Sequence, residues 1–168
     1  KLTGNYNFNN IAFATLIGLH FNIPVSEIKK SISEYNPINN RSQIIEINNK
    51  SIVLDAYNAN PSSMSSSVQS FNKLNGSKTI LLGDMFELGK ESEKEHFDLI
   101  SFCIRNKFEN IFLIGLEFFK HKNNFDIPFF YKTKKELINH LQKTPITSKH
   151  ILIKGSRGMK MEDLINYI

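Results

Sequence analysis

Apolar residues recur along this chain in two rhythms, and the rhythm changes once. Over residues 7–20 (NFNNIAFATLIGLH), Ile11, Ala14, Thr15, Gly18 and Leu19 fall at helical spacing. A second helix is predicted from Ser26 to Tyr35, with Ile28 and Ile32 inward and Ser26 as its N-cap. The run NPINNR then breaks the pattern as a linker. Beyond it, residues 42–47 (SQIIEI) and 51–55 (SIVLD) read as strands of a hairpin turning at Asn48-Asn49-Lys50.

From there, apolar strands and helices alternate. VLDAY leads through a polar loop to a helix over Ser62–Leu74, and TILLG is followed by a helix over Glu91–Asn106. NIFLIG, FFY, a helix over Thr133–Gln142, HILIKG and a last helix over 160–167 complete the chain. Continuous apolar strands spaced by helices imply a mostly parallel sheet covered on both faces. The expected fold class is therefore α/β, three-layered, with an antiparallel hairpin at its start and a short helical segment before it.

Composition narrows the functional classes. At 168 residues and 40% hydrophobic content the chain can build a core as one domain. No apolar run approaches the roughly 20 residues that span a bilayer, and KLTGNYNFNN lacks the apolar region of a signal peptide. No membrane partner and a cytoplasmic location are the expectations. The single cysteine, Cys103, leaves no internal disulfide framework; it lies on an apolar helix face as a buried thiol. The net charge of +5 comes from scattered lysines with only three arginines among 21 basic residues. That is the bias of AT-rich coding rather than a basic stripe, and no nucleic-acid partner is expected. The five histidines show no metal spacing, and neither GxSxG, GxGxxG nor GxxxxGK[ST] occurs.

In an open parallel sheet, ligands bind beyond the carboxyl ends of the strands, where strand order reverses. Four loops qualify: Asp55 to Pro61 (DAYNANP), Gly83 to Gly89 (GDMFELG), Gly115-Leu116-Glu117, and Lys154 to Gly158 (KGSRG). Three of them have two readings. DAYNANP is either a helix-initiating turn or, through Asp55, a carboxylate that holds ribose hydroxyls. In GDMFELG, Asp84 and Glu87 either cap and solvate or face a ligand. KGSRG is either a surface loop or an anion site in which Lys154 and Arg157 join backbone N–H groups at a helix start. Two broader alternatives belong to other classes: a stand-alone nucleotide- or anion-binding module, and a purely structural domain.

Taken together, GNYNFNN, NNR, DAYNANPSSM, GDMFELG with a following histidine, and KGSRGMKME resemble the Mur ligases over essentially the whole chain. YNANP, GDM-ELG and KGSRGM are similar to the branch that adds D-alanyl-D-alanine; its sister ligases typically carry a histidine where Asn58 stands. The resemblance implies a dinucleotide-fold-like C-terminal domain over 41–168, preceded at 1–40 by the helical end of a central ATPase domain. It implies ATP and Mg2+ as cofactors, with the phosphate loop and metal ligands upstream, and hence a piece that is inactive alone. The implied partners are UDP-N-acetylmuramoyl-tripeptide, D-alanyl-D-alanine and the upstream domains of the same protein. Asn7 and Asn10 match asparagines beside the adenine, with Tyr6 where the family has histidine. Arg41 matches a catalytic arginine that reaches the ATP phosphates. Asp55 matches the ribose ligand, with Tyr57, Asn58 and Asn60 shaping that site. Asp84, Met85, Glu87, Leu88, Lys154, Ser156 and Arg157 match the loops that face the incoming amine. His96 matches a family position without an assigned role, and no metal ligand falls within this chain.

Overall fold

The computed structural model describes residues 7–168; the expectation for Tyr6 lies outside the described residues. Helices α1 (Asn7–His20) and α2 (Val25–Glu34) form a hairpin, closed where Gly18 lies against Ile28. A Cβ on Gly18 would stand 2.8 Å from Ile28 Cδ1. Ser26 is not the N-cap: α2 starts one residue earlier, and Pro24 occupies the cap without a side-chain bond. Most apolar side chains of α1, including Phe8, Phe13, Leu16 and Ile17, face outward.

Strands β1 (Gln43–Ile47) and β2 (Lys50–Asp55) pair antiparallel. Their turn is two residues rather than three, because Asn48 and Asn49 both take positive φ (50° and 62°), as a tight hairpin twisted like its strands requires. Lys50 is thereby released into β2. Next come α3 (Pro61–Asn72), β3 (Lys78–Gly83), a 3₁₀ turn (Gly89–Glu91), α4 (Ser92–Arg105) and β4 (Asn110–Ile114). The four-residue helix α5 (Leu116–Phe119), a 3₁₀ turn at Lys122–Asn124, β5 (Phe129–Tyr131), α6 (Lys134–Lys143) and β6 (His150–Lys154) follow. The chain ends in two 3₁₀ segments, Arg157–Met159 and Met161–Tyr167, where a single α-helix was expected over 160–167. Lys160 between them, at φ 48°, breaks the run.

The sheet order is β1-β2-β6-β3-β4-β5, parallel except for the hairpin. Alternation along each strand sorts the core into two layers. Ile80, Leu82, Ile111, Leu113 and Leu152 pack under α3, α4 and α5; Leu81, Phe112, Ile114, Ile151 and Ile153 pack under α6 and the C-terminal 3₁₀ helix. Cys103 is fully buried in the first layer, and burial pushes its thiol far above the ordinary range, an inert core residue. Because β6 is threaded between β2 and β3, three of the four polar loops emerge side by side at one sheet edge.

Candidate functional site

The first part of the site is organised by Asp55, the last residue of β2. Its Oδ1 accepts from the Ser42 backbone N–H at 3.1 Å. Its Oδ2 accepts from the Ser67 hydroxyl of α3 at 2.7 Å and from the Lys154 ammonium at 2.6 Å. Asp55 and Lys154 are register partners on adjacent parallel strands, which places the two side chains together across 99 residues of sequence. Downstream, Asn58 Oδ1 accepts from the Ala59 N–H. Asn60 caps α3: its Oδ1 accepts from the Ser63 N–H while the Ser63 hydroxyl accepts from the Asn60 N–H, with Pro61 opening the helix. Asn58 and Asn60 thus spend their side chains on the loop and the helix start. Ser62, Ser63, Ser66 and Ser67 line a hollow of about 220 Å³ beside Asp55.

The linker is fastened to this loop. Tyr57 N–H donates to Asn40 O at 3.1 Å, Ser42 is held by Asp55, and Asn40 and Ser42 both adopt positive φ (58° and 51°). The kink between them aims Arg41 over the Tyr57 ring, its guanidinium carbon 3.7 Å from the ring centre. Stacking keeps the planar group oriented while it remains exposed. Arg41 also lines a cleft of about 370 Å³ with Asn7, Asn10, Ile32 and Tyr35. The structure therefore brings Asn7, Asn10, Arg41, Tyr57 and Asp55 into one continuous strip, in which Asn10 Nδ2 donates to Asn7 Oδ1 at 3.2 Å.

The second part joins the loops after β3 and β6. Gly83 and Gly155 end neighbouring strands so closely that a Cβ on Gly155 would lie 3.0 Å from Gly83 Cα. Ser156 stitches the loops: its N–H donates to Asp84 O at 3.1 Å and its hydroxyl accepts from the Phe86 N–H at 2.8 Å. Asp84 turns away from solvent. It is 4% exposed, and its carboxylate accepts from Glu117 N–H and Phe118 N–H at 3.0 Å each, capping α5. Burial raises its proton affinity above the usual carboxylate range, and these two N–H bonds oppose the rise. Met85 is buried in the core and Leu88 packs against it; Glu87 is exposed at φ 65°. The two cations of KGSRG do not form one cradle. Lys154 is committed to Asp55, whereas Arg157, with a side chain 58% exposed, pairs with Glu162.

His96 is the residue for which sequence offered no role. It is fully buried in α4; Nδ1–H donates to Ser92 O at 2.7 Å, and Nε2 accepts from the Met85 N–H at 3.1 Å. A neutral ring therefore pins the loop after β3. Ser67, Ser42 and Tyr35 also escaped the sequence reading; only the serine run SSMSSS carried a local signal for the first of these. Among the described residues no three His, Cys, Asp or Glu side chains come together as a metal site. Nor is any described helix long and apolar enough to cross a membrane.

Comparison with known proteins bears on the family and the fold. The family described as "Mur ligase, glutamate ligase domain" matches residues 40–157. The UDP-N-acetylmuramoyl-tripeptide–D-alanyl-D-alanine ligase of Bacillus subtilis is 32% identical over 174 residues, covering 98% of this chain and 38% of the relative. A solved Acinetobacter baumannii UDP-N-acetylmuramoylalanyl-D-glutamyl-2,6-diaminopimelate–D-alanyl-D-alanyl ligase superposes with a TM-score of 0.85 at 27% identity, over 97% of this chain and 36% of that one. The Thermotoga maritima MurF ligase, solved in complex with ADP, shares the fold (TM-score 0.82, 20% identity, 99% and 38% covered). The chain thus spans under two fifths of the length of the proteins it matches. With 118 consecutive positions matching the family and the same architecture in solved relatives, the chain belongs to the Mur ligase family.

Proposed function

We propose that this chain is part of a longer cytoplasmic, ATP-dependent ligase that joins D-alanyl-D-alanine to UDP-N-acetylmuramoyl-tripeptide in peptidoglycan synthesis. One observation carries the reading: the strip Asn7–Asn10–Arg41–Tyr57–Asp55 lies beside the loops that buried Ser156 stitches together and that present Arg157. A nucleotide side and an amine side thereby share one sheet edge. Such a ligation passes the γ-phosphoryl group of ATP to the tripeptide carboxylate, and the dipeptide amine then displaces phosphate. It asks the protein mainly for positioning and charge neutralisation.

In this reading Asn7 and Asn10 border the adenine, Asp55 meets the ribose, and Arg41 extends from its Tyr57 platform toward the phosphates. Arg157 takes the carboxylate of the dipeptide. Its partner Glu162 is half-buried, but the guanidinium itself is exposed, so the pair sits at the surface, where such pairs are worth about 0–1 kcal/mol and a ligand can displace it. Residues 1–40 belong to the preceding domain and 41–168 to the C-terminal one, with the strained Asn40–Arg41–Ser42 kink as the joint. The outward apolar side chains of α1 are then covered by the upstream polypeptide. Magnesium, like the phosphate loop, is supplied from upstream. The test is phosphate release by the full-length protein with each amine offered in turn. Turnover that requires D-alanyl-D-alanine is expected; turnover with a single amino acid such as glutamate overturns the reading.

A further inference from the structure

The ammonium of Lys154 has three protons and three acceptors: Asp55 Oδ2 at 2.6 Å, Asn58 O at 3.1 Å and Asp55 O at 3.5 Å. With a side chain only 3% exposed, it has neither a free proton nor a path to solvent. A buried ammonium persists only when paired in this way. The consequence falls on Asp55. A carboxylate offers about four acceptor positions; Lys154 and Ser67 fill both on Oδ2, and Ser42 N–H fills one on Oδ1. One acceptor position remains, on the Oδ1 edge.

We propose that Lys154 is a positioning residue of the nucleotide side rather than a ligand for the dipeptide. It fixes the Asp55 carboxylate so that a single oxygen, Oδ1, is offered to one ribose hydroxyl, and it ties the Asn58 carbonyl to the same point. The proposal rests on the reading of Asp55 as the ribose ligand. Since Lys154 continues directly into Gly155-Ser156, the same ammonium makes the loops after β2 and β6 move as one body.

The experiment uses the full-length ligase and measures calorimetric affinity for ADP and for 2′,3′-dideoxy-ADP, together with KM for D-alanyl-D-alanine. Lys154→Met removes a charge-assisted contact to Asp55, and ADP binding should weaken by about 10–100-fold. Lys154→Arg keeps a cation and should recover part of that loss. Dideoxy-ADP should bind wild type and variants alike, which a general loosening of the fold would not produce. KM for the dipeptide should stay within about threefold. If Lys154→Met fails to fold, Lys154→Arg and the double replacement Asp55→Asn with Lys154→Met, which leaves no lone buried charge, carry the measurement. Variants that raise the dipeptide KM and leave ADP binding unchanged overturn the proposal. Asp55→Ala combined with Lys154→Met removes the acceptor without leaving a lone buried charge; unchanged ADP affinity in that variant instead overturns the assignment of the ribose to Asp55, so the two failures can be told apart.

Discussion

Asp55 and Asp84 carry the same sequence signal, a short carboxylate at the carboxyl end of a parallel strand, and the fold uses them in opposite ways. Asp55 collects partners from three distant elements: the linker, α3 and β6. It keeps an open edge, with a side chain 14% exposed beside a serine-lined hollow. Asp84 gives both oxygens to the first turn of α5 and is closed off from solvent. The difference lies in the connections. After β2 the chain crosses β6 to reach β3, leaving the end of β2 uncovered; after β4, α5 starts at once, directly over Asp84. A strand-end carboxylate thus stays open only where neither its own connection nor its neighbour's closes over it.

The largest effect is expected at Gly115, which makes the closure over Asp84 possible. Gly115 sits at φ 128°, and a Cβ there would stand 2.2 Å from Asp84 Cγ. Left-handed strain of about 1–3 kcal/mol and overpacking of a similar size should add, so Gly115→Ala should cost roughly 3–5 kcal/mol. For a domain of this size that lowers Tm by about 10 °C. Scanning calorimetry checks it, and a shift below about 2 °C would mean that Asp84 can leave α5 freely.

Next is the direct contrast of the two aspartates. Asp84→Ala orphans one buried and one partly buried N–H group and should cost about 2–4 kcal/mol in urea unfolding, with little change in ADP affinity for the folded fraction. Asp55→Ala, combined with Lys154→Met so that no buried charge is left alone, should show its main loss in ADP binding. If the two variants behave alike, exposure does not separate their roles.

Arg157 sharpens the comparison on the amine side. Its guanidinium can place two parallel hydrogen bonds on a carboxylate, and losing such a contact costs about 1.5–3 kcal/mol. In the full-length ligase Arg157→Ala should raise KM for D-alanyl-D-alanine by roughly 10–150-fold with KM for ATP little changed. Arg157→Lys should recover part. A shift in the ATP constant alone would move this loop to the nucleotide side.

Much of this was legible in the chain. The switch from helical to strand rhythm, the hairpin, the buried parallel strands and the three polar loops follow from residue type and spacing, because each depends on neighbours in sequence. What was not legible depends on strand order. Lys154 and Arg157 look alike in KGSRG; only the threading of β6 beside β2 makes Lys154 the register partner of Asp55 and turns it inward. Asp84 reads as a ligand until α5, four residues long and too short to show a period, is seen to begin above it. The same limit hid the cap of α2, where Pro24 outcompetes Ser26, and the 3₁₀ geometry of the C-terminal helix.

The smallest effect concerns His96, which pins the loop after β3 and has no counterpart on the Asp55 side. Burial holds its pKa below the ordinary value; the Ser92 carbonyl and the Asp84 charge push the other way. Both ring nitrogens are engaged as a neutral ring requires, and a second ring proton would point at the Met85 N–H. The folded protein therefore binds fewer protons here than the unfolded chain, whose histidine titrates near about 6.5. Stability from this group is present above that pH and is lost as pH falls through it, by up to about 1.4 kcal/mol per pH unit. Between pH 7.5 and 5.5 the loss should reach at most about 1.4 kcal/mol, or roughly 3–6 °C in Tm. Asp84 acts with the opposite sign, since burial raises its pKa and the folded state gains as protons bind it, so the figure for His96 is an upper bound on the net loss. His96→Gln can still accept from the Met85 N–H and does not titrate. It should flatten the difference in melting temperature across this window. An unchanged slope in the variant would show that the neutral ring is not what holds the loop, and that Ser156 alone stitches it to β6.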